Sequence, residues 1–332
     1  MLKYVKIKAM SEIIYLAKKR DKQREKTRVA INKKTDEYNA VISSLQQNID
    51  DISSAFDVYV QQTNDTIASL ETKIEELNKN EYSKEYLTFE ALEQTDITLS
   101  YNSVTNKSIE YSFDKSTWTT FAPAFGAETI TSLNEGDKMY VRSTWTDNIE
   151  EQSFGSTGRY KVSGNIMSLF YGDSFIGKTT FRGDNACRVL FIGSMNLTDA
   201  SNLIMPVTSL TEHCYHEMFD GCTALVTAPA LPATTLANDC YTNMFHDCTS
   251  LTNAPALPAT TLANDCYGNM FVGCTSLNYI KCLATDISAA NCTVNWVNGV
   301  SSDGIFAKDA NMTNWTTGVD GIPAGWVIEN VA

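Results

Sequence analysis

Residues 228–241 read APALPATTLANDCY, and residues 254–267 read APALPATTLANDCY again. The offset is 26 residues, so Cys240 recurs as Cys266 and Cys248 as Cys274. One step back gives Cys214 and Cys222, with Tyr215, Met218 and Phe219 between them, and one step forward gives Cys292. A fixed period of roughly 20–50 residues marks a stacked array, in which each unit buries its apolar face against its neighbours.

Within a unit, Leu236, Cys240, Met244 and Cys248 recur every four residues, with Tyr241 and Phe245 on the same face. This spacing predicts a short amphipathic helix. The following CTSLTNAPALP carries Pro255 and Pro258, which leaves room only for a short extended piece around Leu251 to Ala254. A short strand plus a short helix per unit is the leucine-rich-repeat pattern. The stretch CYxxMFxxCTSLxxAPALPATTL resembles the BspA-like leucine-rich repeats of gut Bacteroidales and their phages. An earlier, eroded unit runs from about Phe191 to Leu210, where MPVTSL replaces LPATTL. The resemblance covers about residues 86–332.

The net charge of −13 is unevenly spread. Residues 1–34 carry twelve Lys and Arg against three acids, so the remainder is strongly acidic. A basic end on an acidic body suggests different partners for the two ends. The opening stretch has neither the apolar run of a signal peptide nor the roughly 20 apolar residues of a membrane span. Most of the nine cysteines follow the repeat, which makes them small apolar core residues rather than a disulfide framework.

Residues 36–80 lack Pro and Gly. Tyr38, Ile42, Leu45, Ile49, Ile52, Phe56, Tyr59, Thr63, Ile67, Leu70, Ile74 and Leu77 form a heptad-like seam. Its steps alternate four and three, with one stutter at Thr63–Ile67. The pattern predicts a coiled-coil stalk, and isoleucine at both kinds of seam position favours three strands over two. The bland alternative is a single amphipathic helix packed on a globular domain. Upstream, Leu2, Tyr4, Val5 and Ile7 alternate as in a strand, and residues 18–34 read as a basic helix. Lys18, Lys19, Arg20, Lys22, Arg24, Lys26 and Arg28 are candidates for docking to a larger assembly. Nucleic-acid binding ranks lower, because no motif accompanies the charge.

From Leu87 to about Asn165 the pattern becomes short strands: LTFEA, DITLSY, SIEYSFD, TWTTF, KMYVRS and YKVSG. Asn102-Ser103, Gly136-Asp137 and Gly155-Ser156 are the turn signals between them. This predicts a small antiparallel β-sandwich-like domain. The fold class is thus multidomain. The expected boundaries are a basic anchor at 1–35, a stalk at 36–80, a β domain at 86–165, a repeat solenoid at 166–290 and a C-terminal cap at 291–332. Trp296, Trp315 and Trp326 are expected to hide the last apolar face.

Gly172 to Thr179 match the phosphate-loop pattern GxxxxGK[ST]. A working loop needs a following helix whose N-terminus faces the anion. Here Thr179 and Thr180 lead into Gly183-Asp184, a turn signal, so nucleotide binding ranks last. Arg182-Gly183-Asp184 is too short a match to count. Of the three histidines, His213 and His216 share one unit and His246 lies in the next. Metal binding would need them to converge with carboxylates such as Asp220. No catalytic constellation, cofactor or metal site is assigned.

Core positions must match from unit to unit, so the differing residues mark the outside. Helical geometry would place His216, Glu217, Asp220, Thr242, Asn243, His246 and Asn269 on the outer surface. With Trp145 of the β domain, they are the candidate ligand surface for a host glycan or protein. The resulting expectation is a non-enzymatic homotrimeric fibre subunit of a bacteriophage virion, made in the bacterial cytoplasm and held to other virion proteins through its N-terminus. The alternatives are a BspA-like bacterial surface adhesin and, last, an enzyme using the Gly172–Thr179 loop.

Overall fold

The computed structural model describes residues 2–101, 108–123, 126–143, 145 and 152–331. The chain divides into two compact units, residues 1–74 and 75–332. No helix among the described residues is long and apolar enough to cross a membrane.

Helix α1 runs from Leu2 to Tyr82, 81 residues without a Gly or Pro. At 1.5 Å per residue that is about 120 Å of helix. The alternation at Leu2, Tyr4, Val5 and Ile7 is therefore not a strand. With no helix breaker before Ser83, the helix simply continues through it. Surface pairs at i,i+4 support the middle of α1: Gln46 donates to Asp50 at 3.2 Å, Gln47 to Asp51 at 2.9 Å and Gln61 to Asp65 at 2.9 Å. Each such pair adds only about 0.2–0.5 kcal/mol. The apolar seam is uncovered in the single chain. Tyr38, Ile42, Leu45, Ile49, Ile52, Phe56, Tyr59, Ile67 and Leu70 are 47–69% exposed. The side chains of Ile74 and Leu77 lie outside the described ones.

Two sheets form the first part of the second unit. The larger has the order β4-β3-β6-β1-β8-β9, with β4 at Thr119–Phe121, β3 at Ile109–Ser112, β6 at Lys138–Arg142, β1 at Leu87–Ala91, β8 at Tyr160–Asn165 and β9 at Leu197–Ile204. The smaller has the order β5-β2-β7, with β5 at Gly126–Leu133, β2 at Thr95–Tyr101 and β7 at Gln152–Ser156. Alternate residues point inward: Ile97, Leu99 and Tyr101 on β2 are buried, as are Met139 and Val141 on β6. Phe89 on β1 meets Phe154 on β7 with ring centroids 4.9 Å apart, joining the two sheets. Gly155-Ser156, expected as a turn, belongs to strand β7. The larger sheet is not purely antiparallel, because β9 pairs with β8 in parallel. It therefore continues past residue 165 instead of stopping there.

Gly164 on β8 packs tightly against the segment just before β1. Its φ is +78°, and a Cβ there would lie 1.9 Å from the Tyr86 carbonyl oxygen. A short helix α2, Ser168–Tyr171, follows β8.

Beyond β9 the backbone repeats every 26 residues, but not as helices. The four-residue recurrence of Cys240, Met244 and Cys248 is a run of tight turns. Asp239, Asn243 and Asp247 have φ of 53°, 55° and 55°, and Asp265 and Asn269 repeat this at 53° and 52°. Asn and Asp are among the few side chains that tolerate this left-handed region. Within the run, N–H groups alternate between two targets. Met244 N–H donates to Tyr241 at 3.1 Å, three residues back, whereas Phe245 N–H donates to Met270 in the next unit at 3.0 Å. Tyr241, Asn243 and Asp247 likewise reach Cys266, Gly268 and Val272 at 3.1, 2.9 and 2.7 Å. A helix would send every N–H four residues back and leave none for its neighbour. The piece after each run is barely extended: Asn253 bridges Tyr279 and Leu257 bridges Cys282, both in parallel.

Side chains follow the same register. Phe191, Phe219, Phe245 and Phe271 stack in sequence with centroids 5.4, 5.5 and 5.8 Å apart. Tyr215, Tyr241 and Tyr267 form a second column at 5.6 and 6.1 Å. Both columns end on Trp296, which also stacks on Trp315 at 5.5 Å. All nine cysteines are free and buried. The thiols of Cys222, Cys248 and Cys274 donate to the carbonyls of Phe191, Phe219 and Phe245 at 3.2, 3.1 and 3.0 Å. They are linkers between units as well as fillers. The chain closes with a parallel sheet of β10, Tyr279–Cys282, β11, Ile305–Asp309, and β12, Val327–Val331.

Candidate functional site

The turn runs decide where the candidate ligand residues lie. Of every four residues, two point into the core, such as Cys214-Tyr215 and Met218-Phe219. The other two, His216-Glu217 for example, are half-buried. The expected outer row is thus covered in part by the adjoining units. His216 is 14% exposed and His246 32%. Glu217, Asp220, Asn243 and Asn269 are also half-buried, while Thr242 is buried and its hydroxyl donates to the Asp265 carbonyl. An outer helical surface was the wrong expectation, because successive turn runs lie one against the next with direct backbone bonds. Glu217, Asn243 and Asn269 share one left-handed position, with φ of 55°, 55° and 52°. That backbone requirement accounts for the two asparagines.

Trp145 is 3% exposed, packs edge-on against Phe170 with centroids 6.2 Å apart, and donates its indole N–H to Ser108 at 3.1 Å. It is a core residue and leaves the candidate surface. In the same part of the chain Trp118 is half-buried, with the Arg142 guanidinium 4.0 Å over its ring. Arg142 is already paired with Glu110 at 2.8 Å and with Asp173.

Electrostatics along the row are local. His246 Nδ1 lies 2.9 Å from Asp220 Oδ1. Burial pushes the Asp220 carboxyl above its usual value, against the favourable pull of His246. The His216 ring, with Nδ1 3.4 Å from Glu217 Oε2, holds the Glu217 carboxyl below its usual value. His213 and His216 do converge with a carboxylate, though not with Asp220. Their partner is Asp239, one donor atom from each of the three lying within 4.8 Å of the others. The 26-residue register contained this signal, since Asp239 occupies the position of His213 one unit later.

The basic candidates Lys18, Lys19, Arg20, Lys22, Arg24, Lys26 and Arg28 are all exposed on α1. Arg28 meets Glu25 at 2.9 Å and Arg20 meets Asp21 at 3.9 Å, so most of the positive charge is uncompensated within the helix. The loop Gly172–Thr179 begins as a single 3-10 turn, and the residues after it are bends and turns without a helix. Lys178 Nζ sits 5.2 Å over the Tyr171 ring. Arg182-Gly183-Asp184 is tied into the fold: Arg182 lies 4.4 Å over Tyr171, the Gly183 carbonyl accepts from Thr211 and Asp184 accepts from the Glu212 N–H.

No family model, no curated protein and no solved structure matches the chain.

Proposed function

We propose that this chain is a non-enzymatic fibre subunit of a bacteriophage virion. In this reading α1 is the stalk helix of a homotrimeric coiled coil. The 26-residue units are a leucine-rich-repeat solenoid of the BspA-like kind, with tight turns in place of helices, and they present a surface for host attachment. The observation that carries the reading is the uncovered seam from Tyr38 to Leu70. Nine large apolar side chains on one helix stand about half-exposed or more. A soluble chain leaves such a stripe open only where another molecule covers it. Identical helices are its simplest partner, because the heptad spacing makes the seam complementary to copies of itself.

The basic stretch Lys18–Arg28 supplies a second surface at the N-terminal end of the chain, suited to acidic patches on other virion proteins. The half-buried row from His216 to Asn269 supplies the surface for a host glycan or protein. Mass measurement of the full chain in solution tests the stalk: a trimer is expected and a monomer overturns it. Labelling intact particles with an antibody to this chain tests the virion assignment, which fails if phage particles carry no label.

A further inference from the structure

We propose that His213, His216 and Asp239 form a binding site for a divalent transition-metal ion of the zinc, cobalt or nickel type. Two imidazoles and one carboxylate are a donor set for such ions, whereas calcium and magnesium take oxygen ligands. The three donor atoms lie within 4.8 Å of one another. A tetrahedral ion with bonds of about 2.0–2.1 Å sets its ligands about 3.4 Å apart. Small side-chain rotations therefore close the site without moving the backbone.

That backbone is held firmly. His213 and Asp239 occupy the same position in adjacent units, with φ of 52° and 53°. His213 N–H donates to Asn238 at 3.2 Å, Tyr215 N–H to Cys240 at 3.0 Å and Asp239 N–H to Asn264 at 3.1 Å. The two histidine rings stand 5.5 Å apart at 70°. His216 Nδ1 is shut off from solvent and makes no hydrogen bond; it only faces Glu217 Oε2 at 3.4 Å, as a charge contact. A buried polar atom without a hydrogen bond costs free energy unless something satisfies it or its ring partner fixes it. An ion bound at Nδ1 would supply that partner, and one bound at Nε2 would fix Nδ1 as an N–H facing the Glu217 carboxylate; either way the carboxylate adds negative charge beside the ion.

The next unit provides an internal comparison. There the equivalent three positions are Asp239, Thr242 and Asp265. They satisfy one another directly, since the Thr242 hydroxyl lies 3.4 Å from Asp239 Oδ1 and donates to the Asp265 carbonyl. In the pair of units that contributes two imidazoles, His216 Nδ1 is the atom of the three residues left buried without a hydrogen bond. His246 is the chain's third histidine and is already paired with Asp220. Three protein ligands leave one coordination position for water.

The test titrates chelator-treated full-length protein with zinc and with cobalt, by calorimetry and by visible absorption. One ion per chain is expected, with a rise in melting temperature. His213→Ala and His216→Ala should each weaken binding by about 10–100-fold or more, the loss that even outer-shell partners cause. His246→Ala should bind as the parent does. If the alanine variants melt early, Asp239→Asn, which suits the left-handed backbone, carries the test at unchanged fold. No saturable binding, unchanged binding in the His213 and His216 variants or in Asp239→Asn, an equal loss in His246→Ala, or an ultraviolet thiolate-to-cobalt band would each overturn the proposal.

Discussion

Phe219 and Phe245 are 26 residues apart in sequence, and their rings lie 5.5 Å apart with planes 2° from parallel. At this separation parallel rings are offset, the arrangement that aromatic quadrupoles prefer. The pair is one step of a column whose members have neighbours on both sides. Phe245→Ala should destabilise the second unit by about 3–5 kcal/mol, the usual loss for a buried phenylalanine. Urea denaturation measures it. A loss near zero would mean that the column does not hold the units together.

The α1 seam makes a prediction of a different kind, because its large apolar side chains among the described residues stand exposed and have little packing to lose. Ile49→Asp together with Ile52→Asp places charge on two exposed seam positions. The parent should sediment as a trimer and the variant as a monomer, with the denaturation of residues 75–332 unchanged. A parent that is already monomeric would leave the seam without its proposed partner.

Alkaline pH should unfold the second unit steeply. Burial pushes the thiols of Cys222, Cys248, Cys266 and Cys274 well up, and that of Cys282 up to about 12. Tyr215, Tyr241 and Tyr267 are raised in the same way. For an acid raised in the folded state, the protonated form is favoured by folding. The stability contribution is therefore complete below the unfolded thiol value of about 8.5 and is lost as pH rises through the folded values. Each such group adds up to about 1.4 kcal/mol per pH unit to the slope. Urea midpoints measured between neutrality and about pH 10 should fall with rising slope. Cys282→Ala, compared with the parent, should lessen that slope; a flat profile would show that the thiols ionise in place.

Gly164→Ala should cost several kcal/mol, on the order of 3 or more, because it combines a left-handed φ with a backbone clash. The Tyr86 carbonyl cannot rotate away as a side chain would, and Tyr86 bridges Asn165 beside it. Soluble expression and thermal melting report the effect. A melting temperature equal to the parent's would mean that the segment after α1 shifts freely.

Much of the secondary structure was legible because simple rules applied. The lack of Gly and Pro over residues 36–80 identified the stalk helix, though the alternation at Leu2 to Ile7 hid that the same helix starts at Leu2, and alternation identified β1, β2, β3, β4, β6 and β8. Strand β7 was missed because QSFGS is polar and carries a glycine, which reads as a turn until β2 supplies its pairing. Strand β5 escaped because it starts at Gly126 and its outward residues, Ala127 and Thr129, break no pattern of their own. The turn runs were misread because a period of four lies close to 3.6. The competing clue was the Asp or Asn at every fourth place, at 239, 243 and 247, which favours a left-handed backbone over a helix. The candidate surface inherited that error, and Trp145 failed because an aromatic in a loop gives no sign in sequence of its burial. Asp239 was overlooked because its link to His213 is a matter of register between units, visible only by aligning the units on one another.

The ladder between turn runs has an evolutionary consequence. Tyr241, Asn243, Phe245 and Asp247 offer to the following unit the same backbone groups that Tyr267, Asn269, Phe271 and Gly273 offer to theirs. Any block of 26 residues cut at matching points thus presents N–H donors at one end and the matching carbonyl acceptors at the other. Deleting or duplicating such a block creates no new junction to be selected for fit, and Trp296 closes the columns whatever their number. The length of this part of the chain can therefore change in whole steps within a lineage, while everything before Phe191 and after Trp296 stays as it is.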